Sequence, residues 1–203
     1  MATVEFSNLG HSGLKVPALW LGTMMFGDQT DEAEARNIVD ATRDAGLNAI
    51  DTADNYASGE SERMVGRLIA KDRDRWILAT KVANPIGKEP NDRGLSRRWL
   101  LKEVDNSLQR LQTDWIDVYY MHRDDESTPI EEVLSTFARL IESGKIKLGQ
   151  TAADGRQPAT QAVQPAASTG AAPGKAAWPA KPAGWSNWRP KLATNAALSS
   201  ADT

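Results

Sequence analysis

The sequence predicts an α/β fold, a parallel sheet with helices outside it, and three observations carry that prediction. Short apolar runs alternate with helical patterns up to about Gln150. The runs are apolar on both faces, as strands covered on both sides must be. The stretches between them place apolar residues three and four apart, the mark of helices with one inward face.

Each element follows in order. "VEFSNLGHSGLKV" reads as a small hairpin, with turn residues between two short extended pieces. "KVPALWLG" is a strand candidate. A helix follows it, capped by Thr30 or Asp31, with Ala35, Ile38, Val39 and Ala45 inward and Gly46 as its stop. "NAID" is the next strand, followed by a helix carrying Met64, Val65, Leu68 and Ile69 on one side. "WILATK" is the third strand. After Ser96 comes a helix with the apolar row Leu100, Val104, Leu108 and Leu111. "WIDVYYMH" is the fourth strand. In "STPIEEV", Thr128 suits a cap, Pro129 the first helical position and Glu131 a capping box. That helix buries Val133, Leu134, Phe137, Leu140 and Ile141 and stops at Gly144, and "KIKLG" begins a fifth strand.

Residues 1–150 therefore form one unit. From Thr151 to Ala183 the chain is mainly Ala, Pro, Gly, Gln and Thr, with Val163 and Trp178 its only large apolar residues. Such a stretch buries too little surface to offset its ordering entropy and is expected to be disordered. Residues 184–203 form a short remnant tail. A net charge of −3, and no basic run with interleaved aromatics, argue against nucleic acid. The absence of cysteine fits a reducing cytoplasm, and nothing reads as a signal peptide or a membrane span. A cytoplasmic protein without a membrane partner is the expectation.

Three strands end in a residue capable of proton chemistry: Asp51, Lys81 and His122, with Tyr56 a short loop after Asp51. In a parallel sheet all the C-terminal strand ends lie on one rim. Singly, Asp51 could cap a turn, Tyr56 pack on a helix, Lys81 be solvated and His122 be structural; together on one rim they suit delivery of a proton to a carbonyl oxygen. Tyrosine, with an ordinary pKa near ~10, is a weak acid. A neighbouring ammonium stabilises its anion, an aspartate holds that ammonium, and a histidine can donate to the same oxygen. No side chain supplies hydride, so a nicotinamide must.

"GLNAIDTADNYASGESE", "ILATKV" and "DVYYMHRDD" resemble the aldo-keto reductases, across roughly residues 3 to 148. The resemblance implies an eight-stranded β/α barrel that uses NADP(H) to reduce an aldehyde or ketone, with Asp51, Tyr56, Lys81 and His122 as its catalytic tetrad. "LGTMMFG" resembles the loop beside the nicotinamide, which makes Gly22, Thr23, Met24 and Asp51 expected cofactor contacts. "RGLSRRWL" resembles the branch that includes the potassium-channel β subunits. "SGKIKLG" opens a family phrase that "GWSNWRP" finishes, so Ser186 and Asn187 are expected to bind the carboxamide. A (β/α)8 barrel takes about 250 residues, and about five strands are legible here. The resemblance therefore implies a partial, C-terminally truncated TIM barrel, prone to self-association through its open edges. A silent truncated product and a non-catalytic regulatory subunit are the alternatives to an active enzyme. A doubly wound sheet is the alternative fold, although "LGTMMFG" does not match its glycine fingerprint.

Overall fold

A computed structural model describes residues 4–151 of the 203. The hairpin is present: β1 (Phe6–Asn8) pairs antiparallel with β2 (Lys15–Pro17), Phe6 opposite Pro17. "KVPALWLG" is not one strand. It divides between β2 and β3 (Leu21–Gly22), which belong to different sheets. Pro17 lacks the N–H that a continuing ladder requires, so the chain leaves the hairpin there and re-pairs four residues later.

Then follow α1 (Glu32–Asp44), β4 (Ala49–Asp51), α2 (Glu60–Ile69), β5 (Ile77–Val82), α3 (Arg97–Leu111), β6 (Ile116–Met121), α4 (Ile130–Glu142) and β7 (Ile146–Thr151). The five strands are parallel and lie in the order β3-β4-β5-β6-β7. Strand order thus equals chain order, with no reversal. A doubly wound sheet reverses its order at a switch point and carries helices on both faces. Here one face packs on residues from all four helices, including Val39, Val65, Leu100 and Phe137. The other face, with Ala49, Ile77, Ala79 and Val118, meets Val16, Leu14 and Leu9 of the hairpin region instead. Helices on one side of a monotonic parallel sheet are the arrangement of a (β/α) barrel segment.

The start and stop signals act mostly as read. Asp31, not Thr30, caps α1 by accepting from the Glu34 N–H at 2.9 Å, and Ser96 caps α3 by accepting from the Trp99 N–H. Gly46 and Gly144 follow their helices at φ +80° and +77°. Ala45 is exposed rather than inward, because it is already the C-cap. The capping box at α4 does not form. Pro129 itself occupies the cap position with no side-chain cap bond, and the Thr128 hydroxyl, one residue too early, donates to Asp125 at 2.7 Å. Leu134 and Ile141 are half-buried, while Val133, Phe137 and Leu140 are fully inside. Each fully buried Leu, Ile or Val of this layer stabilises the fold by about 1.5–3 kcal/mol.

Among the described residues no helix is long and apolar enough to cross a membrane. The expected low-complexity stretch beyond Thr151, the 184–203 tail, and Ser186 and Asn187 within it, lie outside the described residues.

Candidate active site

Asp51 ends β4, Lys81 is the penultimate residue of β5, and His122 follows β6, so parallel pairing brings all three to the same rim. The register is direct: Asp51 lies beside Ala79, Lys81 beside Tyr120, and the His122 N–H donates to the Val82 carbonyl at 2.8 Å. Alternation along β5 turns Leu78, Thr80 and Val82 toward the helices and leaves Ile77, Ala79 and Lys81 on the hairpin-covered face. Tyr56 reaches the rim through the loop after β4, which is tied to β5 by Thr52 N–H to Ala79 O (2.9 Å) and Asp54 N–H to Lys81 O (3.2 Å).

The Lys81 ammonium donates to Asp51 Oδ2 at 2.6 Å, to the Thr52 carbonyl at 2.8 Å and to the Tyr56 hydroxyl at 3.3 Å. It also lies 4.9 Å from the Tyr56 ring centroid. Its side chain is only 11% exposed, so these contacts are little screened by water. The His122 ring meets Tyr56 edge-on, with centroids 5.8 Å apart. Burial, and then the Lys81 charge, hold the His122 imidazole below its usual value, so it is neutral at pH 7. Asn84 Nδ2 lies 2.9 Å from His122 Nδ1. With that amide donating, the ring proton sits on Nε2, and the ring can donate outward. Tyr120, on the same face, is pushed up to about 12 by burial and by Asp51, which makes it a poor proton donor.

Of the residues expected at a cofactor, Gly22 is exposed, and a Cβ there would meet nothing within 4 Å. Gly22 lines a cleft of about 370 Å³ with Leu9, Trp20, Asp51 and Tyr120. Met24 is 55% exposed on the same loop. Thr23 is fully buried; its hydroxyl donates to the Asp51 carbonyl at 3.1 Å and lies 2.9 Å from the Ser61 hydroxyl. Ser61 in turn donates to the Thr23 carbonyl, so this pair ties the loop after β3 to the start of α2 beneath Asp51.

Several site residues escaped the sequence reading. Asn84 had a signal, being a polar residue just past the end of β5 on the rim. Asp125 had less. It accepts from the Leu95 N–H (2.8 Å), Thr128 Oγ (2.7 Å) and both the N–H and Oγ of Ser127, knotting the loop after His122 to the loop before α3. Burial works against its charge, but these hydrogen bonds outweigh that and hold its carboxyl at about 2. The backbone around the rim is strained: Ala57, Ser58 and Ala83 have φ of 46°, 55° and 118°. Each such residue costs on the order of 1–3 kcal/mol, and such strain gathers at functional sites. No sequence signal announces it, since none of the three is glycine.

A family model described as "Aldo/keto reductase family" matches residues 18–154. The chain is 41% identical over 145 residues to a "Probable voltage-gated potassium channel subunit beta" of Arabidopsis thaliana, covering 70% of this chain and 44% of that protein. It is likewise 41% identical over 155 residues to the "Uncharacterized oxidoreductase YrpG" of Bacillus subtilis, covering 70% and 47%. Among solved structures it resembles "aldo-keto reductase AKR11C1 from Bacillus halodurans (holo form)" with a TM-score of 0.67 and 35% identity, over 74% of this chain and 51% of that one. The chain thus spans about half the length of the relatives it matches.

Proposed function

Because this chain belongs to the aldo/keto reductase family, we propose that its rim serves the reduction of an aldehyde or ketone to an alcohol with a reduced nicotinamide, NADPH. The observation that carries this reading is one ammonium, on Lys81, bonded at once to Asp51 (2.6 Å) and to Tyr56 (3.3 Å), with the neutral His122 ring beside it. Tyr56 is the proton donor to the carbonyl oxygen. Lys81 stabilises the phenolate left behind, and Asp51 and the Thr52 carbonyl hold the ammonium in place and aim it. His122, with Nδ1 engaged by Asn84, offers its Nε2–H to the same oxygen as negative charge develops there.

The chemistry of this set fits a nicotinamide: it moves a proton and contains no two-electron donor. Bound there, the cofactor supplies hydride to the carbonyl carbon. The open space over Gly22 in the cleft with Trp20 and Tyr120 supports Gly22 and Met24 as the residues that face its ring, with Asp51 at the edge. Thr23, with its hydroxyl already committed, supports the loop from below. Ser186 and Asn187 as carboxamide ligands remain part of the proposal from the resemblance of "GWSNWRP".

Titration with NADPH, followed by tryptophan fluorescence, and turnover of a generic aldehyde test the reading. Saturable quenching with Tyr56-dependent oxidation of the cofactor is the expected result, and absence of any binding overturns it. Relatives described as probable potassium-channel β subunits support a second reading, a subunit that joins a partner through the same fold. Capture of a channel domain by a Tyr56→Phe chain without turnover would favour that one.

A further inference from the structure

Behind the sheet, on the side away from the rim cleft, lies a buried ion triad that the proton chemistry does not use. Glu62 on α2 and Glu103 on α3 are completely buried, and Arg110 bridges them. Arg110 Nε donates to Glu62 Oε2 at 2.5 Å, and its Nη2 donates to Glu103 Oε1 at 2.5 Å and to the Ser107 hydroxyl at 3.1 Å. The second Glu103 oxygen accepts from Asn106 at 2.8 Å.

We propose that Glu62, Arg110 and Glu103 form a positioning clamp that fixes Tyr56 relative to Lys81; the inference rests on the reading of those two residues as the proton-delivery pair.

The triad touches both elements that carry the pair. Glu62 Oε1 accepts from the Thr80 hydroxyl at 2.6 Å, and Thr80 is the residue before Lys81, facing the opposite side of β5. The clamp therefore holds that strand from behind at the point where it presents the ammonium. On the other side, the Arg110 stem lies against Gly59: a Cβ built there would meet Arg110 Cδ at 2.9 Å. Gly59 ends the turn that Tyr56 begins, and Ala57, Ser58 and Gly59 are consecutively left-handed at φ 46°, 55° and 86°. Two non-glycine residues hold such a conformation only where surrounding contacts over-determine it. Asp54, between Asp51 and Tyr56, is also wholly buried; burial first, then Glu62 and Glu103, push its carboxyl up, so it shares their space.

Packing alone does not account for the triad. Gly66 of α2 already approaches Leu111 of α3 so closely that a Cβ would lie 2.5 Å from the Leu111 carbonyl oxygen, so the helices are joined without it. A buried ion triad is a poor route to stability, since apolar residues of similar volume often do as well or better. What apolar side chains cannot do is hold Thr80 of β5 by a directed bond and, through the same bonded network, fix the guanidinium stem that packs on Gly59.

The test replaces the triad in the 203-residue chain: Glu62→Met, Glu103→Met and Arg110→Met together, with no charge left unpaired. The expected result is a chain as stable as the parent whose kcat falls on the order of 10- to 100-fold, with KM for NADPH unchanged. Restoring Glu62 and Arg110, with Glu103→Gln, recovers most of kcat. A triple variant with parental kcat overturns the clamp, as does a kcat loss that only tracks a loss of stability. Hydrogen exchange at the Asp54 and Tyr56 amides reads the same loop without turnover: faster exchange there, with β6 unchanged, supports the clamp, and unchanged exchange refutes it. Should the triple variant not fold, Arg110→Lys is read by the same amides. A parent chain that shows no Tyr56-dependent turnover refutes the proposed function, while the exchange result still decides the clamp.

Discussion

Replacing Lys81 by methionine removes the ammonium while leaving a side chain of similar length in the same slot. The ammonium is 3.3 Å from the Tyr56 oxygen; at an effective dielectric of about 20 it attracts a phenolate there by about 5 kcal/mol. The Asp51 carboxylate, 2.6 Å from that ammonium and so no more than about 6 Å from the phenolic oxygen, opposes this by about 3 kcal/mol, leaving about 2 kcal/mol of stabilisation for the developing phenolate. At 1.36 kcal/mol per decade, Lys81→Met lowers kcat by on the order of 30-fold. The fold persists: Asp51, with its side chain 31% exposed, can turn its carboxylate to water once its partner is gone. The assay is steady-state oxidation of NADPH by an excess of a generic aldehyde, with circular dichroism to check the fold. If Lys81→Met retains more than about a tenth of parental kcat at pH 7, the ammonium does not stabilise the phenolate and the assignment of roles fails.

Three further outcomes follow from other parts of the molecule. Gly66→Ala drives a Cβ to 2.5 Å from the Leu111 carbonyl oxygen and 2.6 Å from its carbon; α2 and α3 must separate, and urea unfolding should show a loss of about 1–3 kcal/mol. The Asp54 carboxyl is raised from 3.8 to about 8 by burial and by Glu62 and Glu103, so its contribution to stability is full below 3.8 and is lost as pH rises toward 8. Asp54→Asn should flatten that decline in urea midpoints measured across the range, and an unchanged slope refutes the assignment. The His122 value is lowered, so its contribution is present above the usual imidazole value of about 6.5 and is lost as pH falls through the folded value; His122→Gln should remove the part of the acid destabilisation that sets in below about pH 6.5, read from thermal melts.

Much of this was legible in the chain alone, because strands and helices announce themselves through period and punctuation. The apolar row of α3, the Ser96 cap and the glycine stops are local physics, and local physics is written in neighbouring residues. Asp51, Lys81 and His122 were legible for a related reason: the rule that parallel strands end on one rim turns three distant positions into neighbours before any contact is known. The failures were competitions. Pro17 splits a run that hydropathy alone would join, and Pro129 rather than Thr128 stands at the cap of α4, while the Thr128 hydroxyl donates to Asp125 three positions upstream.

By itself the sequence determined the parallel α/β class, the strand-end positions of Asp51, Lys81 and His122 on one rim and the loop that carries Tyr56. Only the tertiary structure decided the rest: the monotonic strand order that makes the sheet a barrel segment, the 2.6 and 3.3 Å contacts that set Lys81 between Asp51 and Tyr56, and the triad behind β5. Glu62 and Arg110 are 48 positions apart and read in the sequence as ordinary helix-surface charges. Their burial, and hence their directed bonds, arise only when α2 closes onto α3 at Gly66, and a contact of that kind has no period to read.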